Sequence, residues 1–102
     1  MAVYITTDSD GVMTAALTGE IDHHSAAWLR TDIETAINDS RPRLLRLDFE
    51  KVGFMDSSGV GLVMGRLNTM RRLRGELELV NLPDYIRRVM LMAKIDRYVK
   101  IK

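Results

Sequence analysis

Two incompatible periods alternate along this chain, and that alternation limits its possible folds more than any other feature. Leu45, Leu47 and Phe49 are interleaved with Arg46 and Asp48, the two-residue period of a strand with one face buried and one wet. Val60, Val63, Met64, Leu67 and Met70 then recur at three and four, the stripe of an amphipathic helix. Gly75 stops that helix, and Leu77 and Leu79 between Glu76 and Glu78 return to the strand period as a second half-exposed strand. Upstream, residues 4–6 and 12–18 are short, rich in β-branched side chains, and flank Asp8-Ser9-Asp10-Gly11, a turn signal that predicts an opening hairpin. Within residues 22–38, Ala26, Leu29, Ile33, Ala36 and Ile37 mark a helix that Arg41-Pro42 ends. Pro83 fits the first position of a third helix, where no amide hydrogen is missed, with Ile86, Val89, Met90 and Ala93 as its inner stripe. Residues 98–101 add a last short edge strand.

The order is therefore β-β-α-β-α-β-α-(β). Strands separated by helices pair in parallel through right-handed crossovers. A sheet covered on both faces would show continuous apolar runs, and these strands alternate instead. The expected fold is α/β: a mixed sheet of four to five strands with its helices mainly on one face, forming one domain over residues 1–102. A chain of 11.6 kDa folds to roughly 5,800 Å² of surface from roughly 17,000 Å² unfolded, enough burial for a core without staples. The absence of cysteine excludes disulfides, thiolate metal sites and a cysteine nucleophile. No apolar run approaches the roughly 20 residues of a membrane span, and residues 1–10 lack the basic flank and apolar stretch of a secretory leader. The cytoplasm is the expected compartment, with no membrane partner.

The net charge of +1 hides an asymmetry. Residues 1–51 carry five Lys/Arg against nine Asp/Glu, and residues 52–102 carry ten against five. A basic half can attract nucleic acid. However, Arg66, Arg71, Arg72, Arg74, Arg87 and Arg88 fall on two predicted helices, where solvated faces account for them, and no direct nucleic-acid contact is expected.

Asp56-Ser57-Ser58-Gly59 places three small polar residues where a strand gives way to a helix. A helix N-cap needs one such residue. Glycines at 59, 61 and 65 then follow inside a helical period, each costing roughly 0.5–1 kcal/mol relative to alanine, which predicts close approach of another backbone. Nucleotide-binding loops do not fit, because the third glycine of a dinucleotide motif would fall on Met64 and no Gly-Lys-Ser/Thr is present. A small hydrolase or transferase using Ser57 with His23 or His24 can be drawn, but a nucleophile elbow needs glycine two residues before the serine, where Met55 stands. Metal binding by Glu20, Asp22, His23 and His24 is opposed by the adjacency of the histidines, which cannot share one helix face; the pair suits a helix start, and no metal or other cofactor is expected. A phosphorylation switch suits the site better. A phosphate at a helix N-terminus meets free amides and the positive end of the dipole, so its cost falls on a partner that must desolvate it.

Leu17-Thr18-Gly19-Glu20-Ile21-Asp22-His23-His24-Ser25-Ala26 and Phe54-Met55-Asp56-Ser57-Ser58-Gly59-Val60-Gly61 resemble the two signature stretches of STAS-domain anti-sigma-factor antagonists, nearest to the sporulation type. The similarity runs through nearly the whole chain with the same element order. It implies a non-enzymatic, partner-switching regulator. Unphosphorylated, such a protein binds an anti-sigma factor that is also a serine kinase and so frees a sigma factor; phosphorylation ends the interaction, and a separate serine phosphatase restores it. The resemblance maps the modified residue onto Ser57 and the partner surface onto Asp22, His23, Asp56, Ser57, Ser58, Gly59 and Gly61. A STAS module of a stressosome or of a transporter is the other form it allows. Relatives commonly close the third helix with a left-handed glycine, and this chain has Lys94 there. Trp28 lies off the apolar stripe of its helix and is expected to be at least partly exposed, as an interface anchor or a lone surface aromatic. Met64, Met70, Met90 and Met92 read as core filler.

Overall fold

The Asp8 carboxylate accepts hydrogen bonds from the backbone N–H groups of Asp10 (2.8 Å) and Val12 (3.0 Å), and Gly11 takes φ +82°, so the chain reverses here. The computed structural model, which describes residues 2–102, pairs β1 (Ala2–Thr7) antiparallel with β2 (Val12–Ile21) across this turn, as the predicted hairpin requires. There follow α1 (His23–Ser40), β3 (Leu44–Met55), α2 (Ser57–Arg72), β4 (Glu76–Val80), α3 (Asp84–Met92), a 3-10 turn (Ile95–Arg97) and β5 (Lys100–Ile101). The sheet order is β1-β2-β3-β4-β5, and every pair after the first is parallel. This is the expected single α/β arrangement, with five strands and three helices.

Alternation fixes which face the helices cover. Met13, Ala15 and Leu17 of β2, Leu45, Leu47 and Phe49 of β3, and Leu77 and Leu79 of β4 are buried, and they form one cluster with Leu29, Ile33 and Ile37 of α1, Val63, Leu67 and Met70 of α2, and Ile86 and Met90 of α3. Thr14, Ala16, Thr18, Arg46 and Asp48 point the other way and are half-buried, because no helix lies over them. The accessible surface is 5930 Å², close to the value that mass alone suggests.

Several expectations need correction. β2 and β3 run further than their sequence patterns, to Ile21 and Met55, because register shifts between Ala16 and Thr18 and between Gly19 and Glu20 let the pairing continue past the break in alternation. Gly19 takes φ +94° at one of these shifts, a conformation open to glycine at little cost. Pro83 is the N-cap of α3 rather than its first residue, and only residues 100–101 of the predicted last strand pair as a strand, after the 3-10 turn. Ala93 is exposed, outside the inner stripe of α3, and Met92 is 83% exposed, so it is not core filler; Met70 and Met90 are.

β4 is not half-exposed. Glu78 is buried, with Arg46 Nε 2.7 Å away on β3 and Lys102 Nζ 2.9 Å away beyond β5. Burial pushes its carboxyl up, but the hydrogen bonds and charges of Lys102 and Arg46 together outweigh burial and hold it below the usual 4.5. A folded-state pKa below the unfolded one means that this contribution is present above about pH 4.5 and is lost as the pH falls further. Thermal unfolding followed from pH 7 to pH 3 should therefore show a steeper acid loss for the wild type than for Glu78→Gln.

Lys94 takes φ 61°, ψ 31°, the left-handed conformation that a glycine would enter freely. A non-glycine residue there costs roughly 1–2 kcal/mol, partly offset by the extra unfolded-state freedom that glycine brings. Lys94→Gly should stabilise the domain by about 0.5–1 kcal/mol in urea unfolding, and a loss of stability would show that the Lys94 side chain supplies a compensating contact.

Candidate functional site

Parallel pairing of β2 and β3 ends at Ile21 opposite Met55, and the Asp56 N–H donates to the Ile21 carbonyl (3.0 Å). The two next residues in register, Asp22 and Asp56, therefore sit side by side at one edge of the domain. Each caps the helix that follows it. The Asp22 carboxylate accepts from the Ser25 N–H (2.8 Å) while the Ser25 hydroxyl accepts from the Asp22 N–H (3.0 Å), a complete capping box. The hydrogen bond from the Ser25 N–H, opposed by burial and aided by the Ser25 hydroxyl, holds the Asp22 carboxyl below its usual 3.8. Asp56 Oδ1 accepts from the Ser58 N–H (2.7 Å), and its carbonyl accepts from the Gly59 N–H (3.0 Å).

Ser57 is the first residue of α2 and is exposed, so its hydroxyl is within reach of an enzyme. The amides of Ser58 and Gly59 are already engaged by Asp56, which corrects the expectation of free amides waiting for a phosphate. A phosphate on Ser57 would still feel the positive helix end.

The helix start divides two grooves. Between α1 and α2, His23, Ala26, Arg30, Ser58, Gly61 and Leu62 line one of them. On the other side Ser57 and Asp56 join Met55, Val60, Tyr85, Val89, Met92 and Ala93 between α2 and α3. The predicted residues are thus brought to one edge but not to one surface: His23, Ser58 and Gly61 face the first groove, and Asp56 and Ser57 the second. Neither histidine lines the groove that holds Ser57, and the His24 ring lies 5.6 Å from the Trp28 ring. Trp28 is 62% exposed, as its position on the helix predicts.

Gly59 is a correction. It is buried, and a Cβ there would lie 2.3 Å from Met55 Cγ and Sδ, so the close approach it permits is by a core side chain rather than by another backbone or a partner. Gly61 and Gly65 have nothing within 4 Å of a Cβ position, so no contact within the domain demands a glycine at either. Gly59→Val should cost roughly 1–3 kcal/mol by overpacking against Met55, whereas Gly61→Ala should leave stability unchanged or raise it. Urea unfolding of the two variants separates the roles.

Sequence reading missed the α3 wall. Tyr85 is 46% exposed, stacks on Phe54 with ring centres 6.4 Å apart, and brings its hydroxyl to 3.5 Å from the Met55 carbonyl. The signal was present, because Tyr85, Val89 and Met92 form a second apolar stripe beside the buried one.

A five-stranded mixed sheet with three helices in this order is a STAS-type fold. The STAS-domain model matches residues 4–102, and the chain belongs to the STAS-domain family. It is similar to the anti-sigma F factor antagonist of Paenibacillus polymyxa, with 29% identity over 91 residues covering 89% of this chain and 78% of that protein. The anti-sigma F factor antagonist of Lysinibacillus sphaericus is 38% identical over 73 residues, covering 72% of this chain and 62% of that protein's length. Among solved structures, the anti-sigma factor antagonist SpoIIAA in its unphosphorylated form superposes with a TM-score of 0.85 at 31% identity, covering 99% of this chain and 88% of that chain. The Bacillus cell fate determinant SpoIIAA in its phosphorylated form gives 0.76 at 31% identity, covering 99% and 91%. Among the described residues, no helix is long and apolar enough to cross a membrane.

Proposed function

We propose that this protein is an anti-sigma factor antagonist that works by binding rather than catalysis. Its unphosphorylated form binds an anti-sigma factor with serine kinase activity in the cytoplasm and so frees a sigma factor. Phosphorylation of Ser57 ends the binding, and a serine phosphatase reverses it. The observation that carries this reading is the exposed Ser57 at the first position of α2, beside an Asp56 cap that keeps the helix start intact whatever the hydroxyl carries. Similarity to the two anti-sigma F factor antagonists and to SpoIIAA, solved with and without phosphate, supports it. The test is incubation with the anti-sigma factor of the same genome and ATP, followed by peptide mass spectrometry. One phosphate on the peptide holding Ser57, absent in Ser57→Ala, is expected. Phosphate on Ser58 alone would move the site, and no incorporation would remove the switch.

A further inference from the structure

Trp28 is the only tryptophan of the chain, and it stands on the flank of α1 that faces away from α2. At 3.6 residues per turn, Asp32 and Asp39 lie within about 40° of it around the helix. Arg30, the one basic residue of α1, lies about 160° away and lines the groove toward α2. Asp32 and Asp39 are exposed and have no ion-pair partner among the described residues. Because α1 packs on β1 and β2, this acidic flank stands above the open edge of β1. That strand is six residues long and carries no charge or proline to deter pairing.

The other end of the domain has the opposite sign. From α3 onward, Arg87, Arg88, Lys94, Arg97 and Lys100 are exposed, against Asp84 and Asp96. Leu91, 43% exposed, follows Arg87 by one helical turn, so the two share a flank of α3 turned away from the groove that Tyr85, Val89 and Met92 line. The charge asymmetry of the sequence thus becomes two unlike edges of one sheet, and a net charge of +1 leaves little overall repulsion between copies.

We infer that copies of this chain associate head to tail, the outer flank of α1 on one copy receiving the outer flank of α3 on the next, with Trp28 against Arg87 and Leu91. Tryptophan stacked on arginine combines area with cation–π attraction, and both residue types dominate interface energies. Asp32 and Asp39 then face the basic residues around α3. Two-fold pairing of β1 edges, the competing contact, would set one acidic flank beside another. Charge therefore selects the unlike pairing, and since the two surfaces lie at opposite ends of the domain, the assembly extends instead of closing as a dimer. Ser57 opens on the groove between α2 and α3 and on neither flank, so association and the switch are separate properties.

Sedimentation velocity of the purified chain tests this, with Trp28 emission as a local reporter. At about 0.02 M salt the average mass should rise with concentration past that of a dimer, and at about 0.5 M salt it should return to the monomer. Trp28 emission should move to shorter wavelength as the mass rises. Trp28→Ala should weaken association about 5–10-fold. Asp32→Lys/Asp39→Lys and Arg87→Glu/Arg88→Glu/Arg97→Glu, all at exposed positions, should each stay monomeric alone. An equimolar mixture of the two should associate again, because each altered edge then meets one of opposite sign. Ser57→Asp should associate as the wild type does. A wild type that stays monomeric at low salt, or a mixture that does not recover, overturns the proposal. Growth that stops at a dimer and resists salt assigns the contact to paired β1 edges instead. Unchanged Trp28 emission removes the α1 flank from the contact, and loss of association in Ser57→Asp moves the contact to the switch surface.

Discussion

Ser57→Asp should bind the anti-sigma factor about 10–100-fold more weakly than the wild type while unfolding at the same temperature or slightly higher. The two signs oppose each other for a physical reason. An acidic side chain in the first turn of α2 interacts favourably with the positive helix end, worth about 0.3–1 kcal/mol at an exposed site. The same charge on a surface that a partner must desolvate costs affinity, with each tenfold equal to about 1.4 kcal/mol. A variant that misfolds would lose both stability and binding, so gain of one with loss of the other isolates the switch. Aspartate carries one charge where a phosphate carries about −1.5 to −2, so full phosphorylation should exceed the effect of the substitution. Calorimetry gives the stability and surface-immobilised binding the affinity. Affinity within twofold of the wild type would end the proposal that charge at this hydroxyl governs docking.

Glu34→Ala should cost about 2–3 kcal/mol and lower the unfolding temperature by about 10–20 °C, a large effect for a half-buried carboxylate. Glu34 lies on α1 and serves three groups of α2. Arg66 Nε is 3.2 Å away, close enough for charge attraction though poorly aligned for a hydrogen bond, the Thr69 hydroxyl donates at 2.9–3.0 Å, and Arg72 approaches to 3.7 Å. Arg66 is 5% exposed, and burial lowers its pKa against the opposing attraction of Glu34. Without Glu34, Arg66 keeps a hydrogen bond to the Arg30 carbonyl (3.2 Å) but no counter-charge. Removing one partner of a buried pair costs more than removing both. The double variant Glu34→Ala/Arg66→Leu should therefore recover most of the loss, and failure to recover would show that Arg66 contributes packing rather than a charge in need of a partner.

The order of elements along the chain and the packing of the helices on one face were legible because alternation in residues 45–49 and a helical period in residues 60–70 are local patterns. Ser57 was legible as a helix start for the same reason, since caps act within one turn. What escaped was whatever depends on a partner distant in sequence. Glu78 reads as a solvated residue of a half-wet strand until the register places Arg46 opposite it and Lys102 beyond Lys100. Arg66 reads as part of a solvated helix face until Glu34 arrives from another helix. Gly59 reads as a place for a partner until Met55 fills it. The α3 wall escaped because a second apolar stripe on a short helix looks the same whether it enters the core or meets solvent.

Spatial order in the sheet equals order in the sequence. As the polypeptide leaves the ribosome, each new strand finds its only required neighbour already made, and none must be threaded between two others. Assembly can proceed from the N-terminal hairpin outward, with few opportunities for mispairing during synthesis.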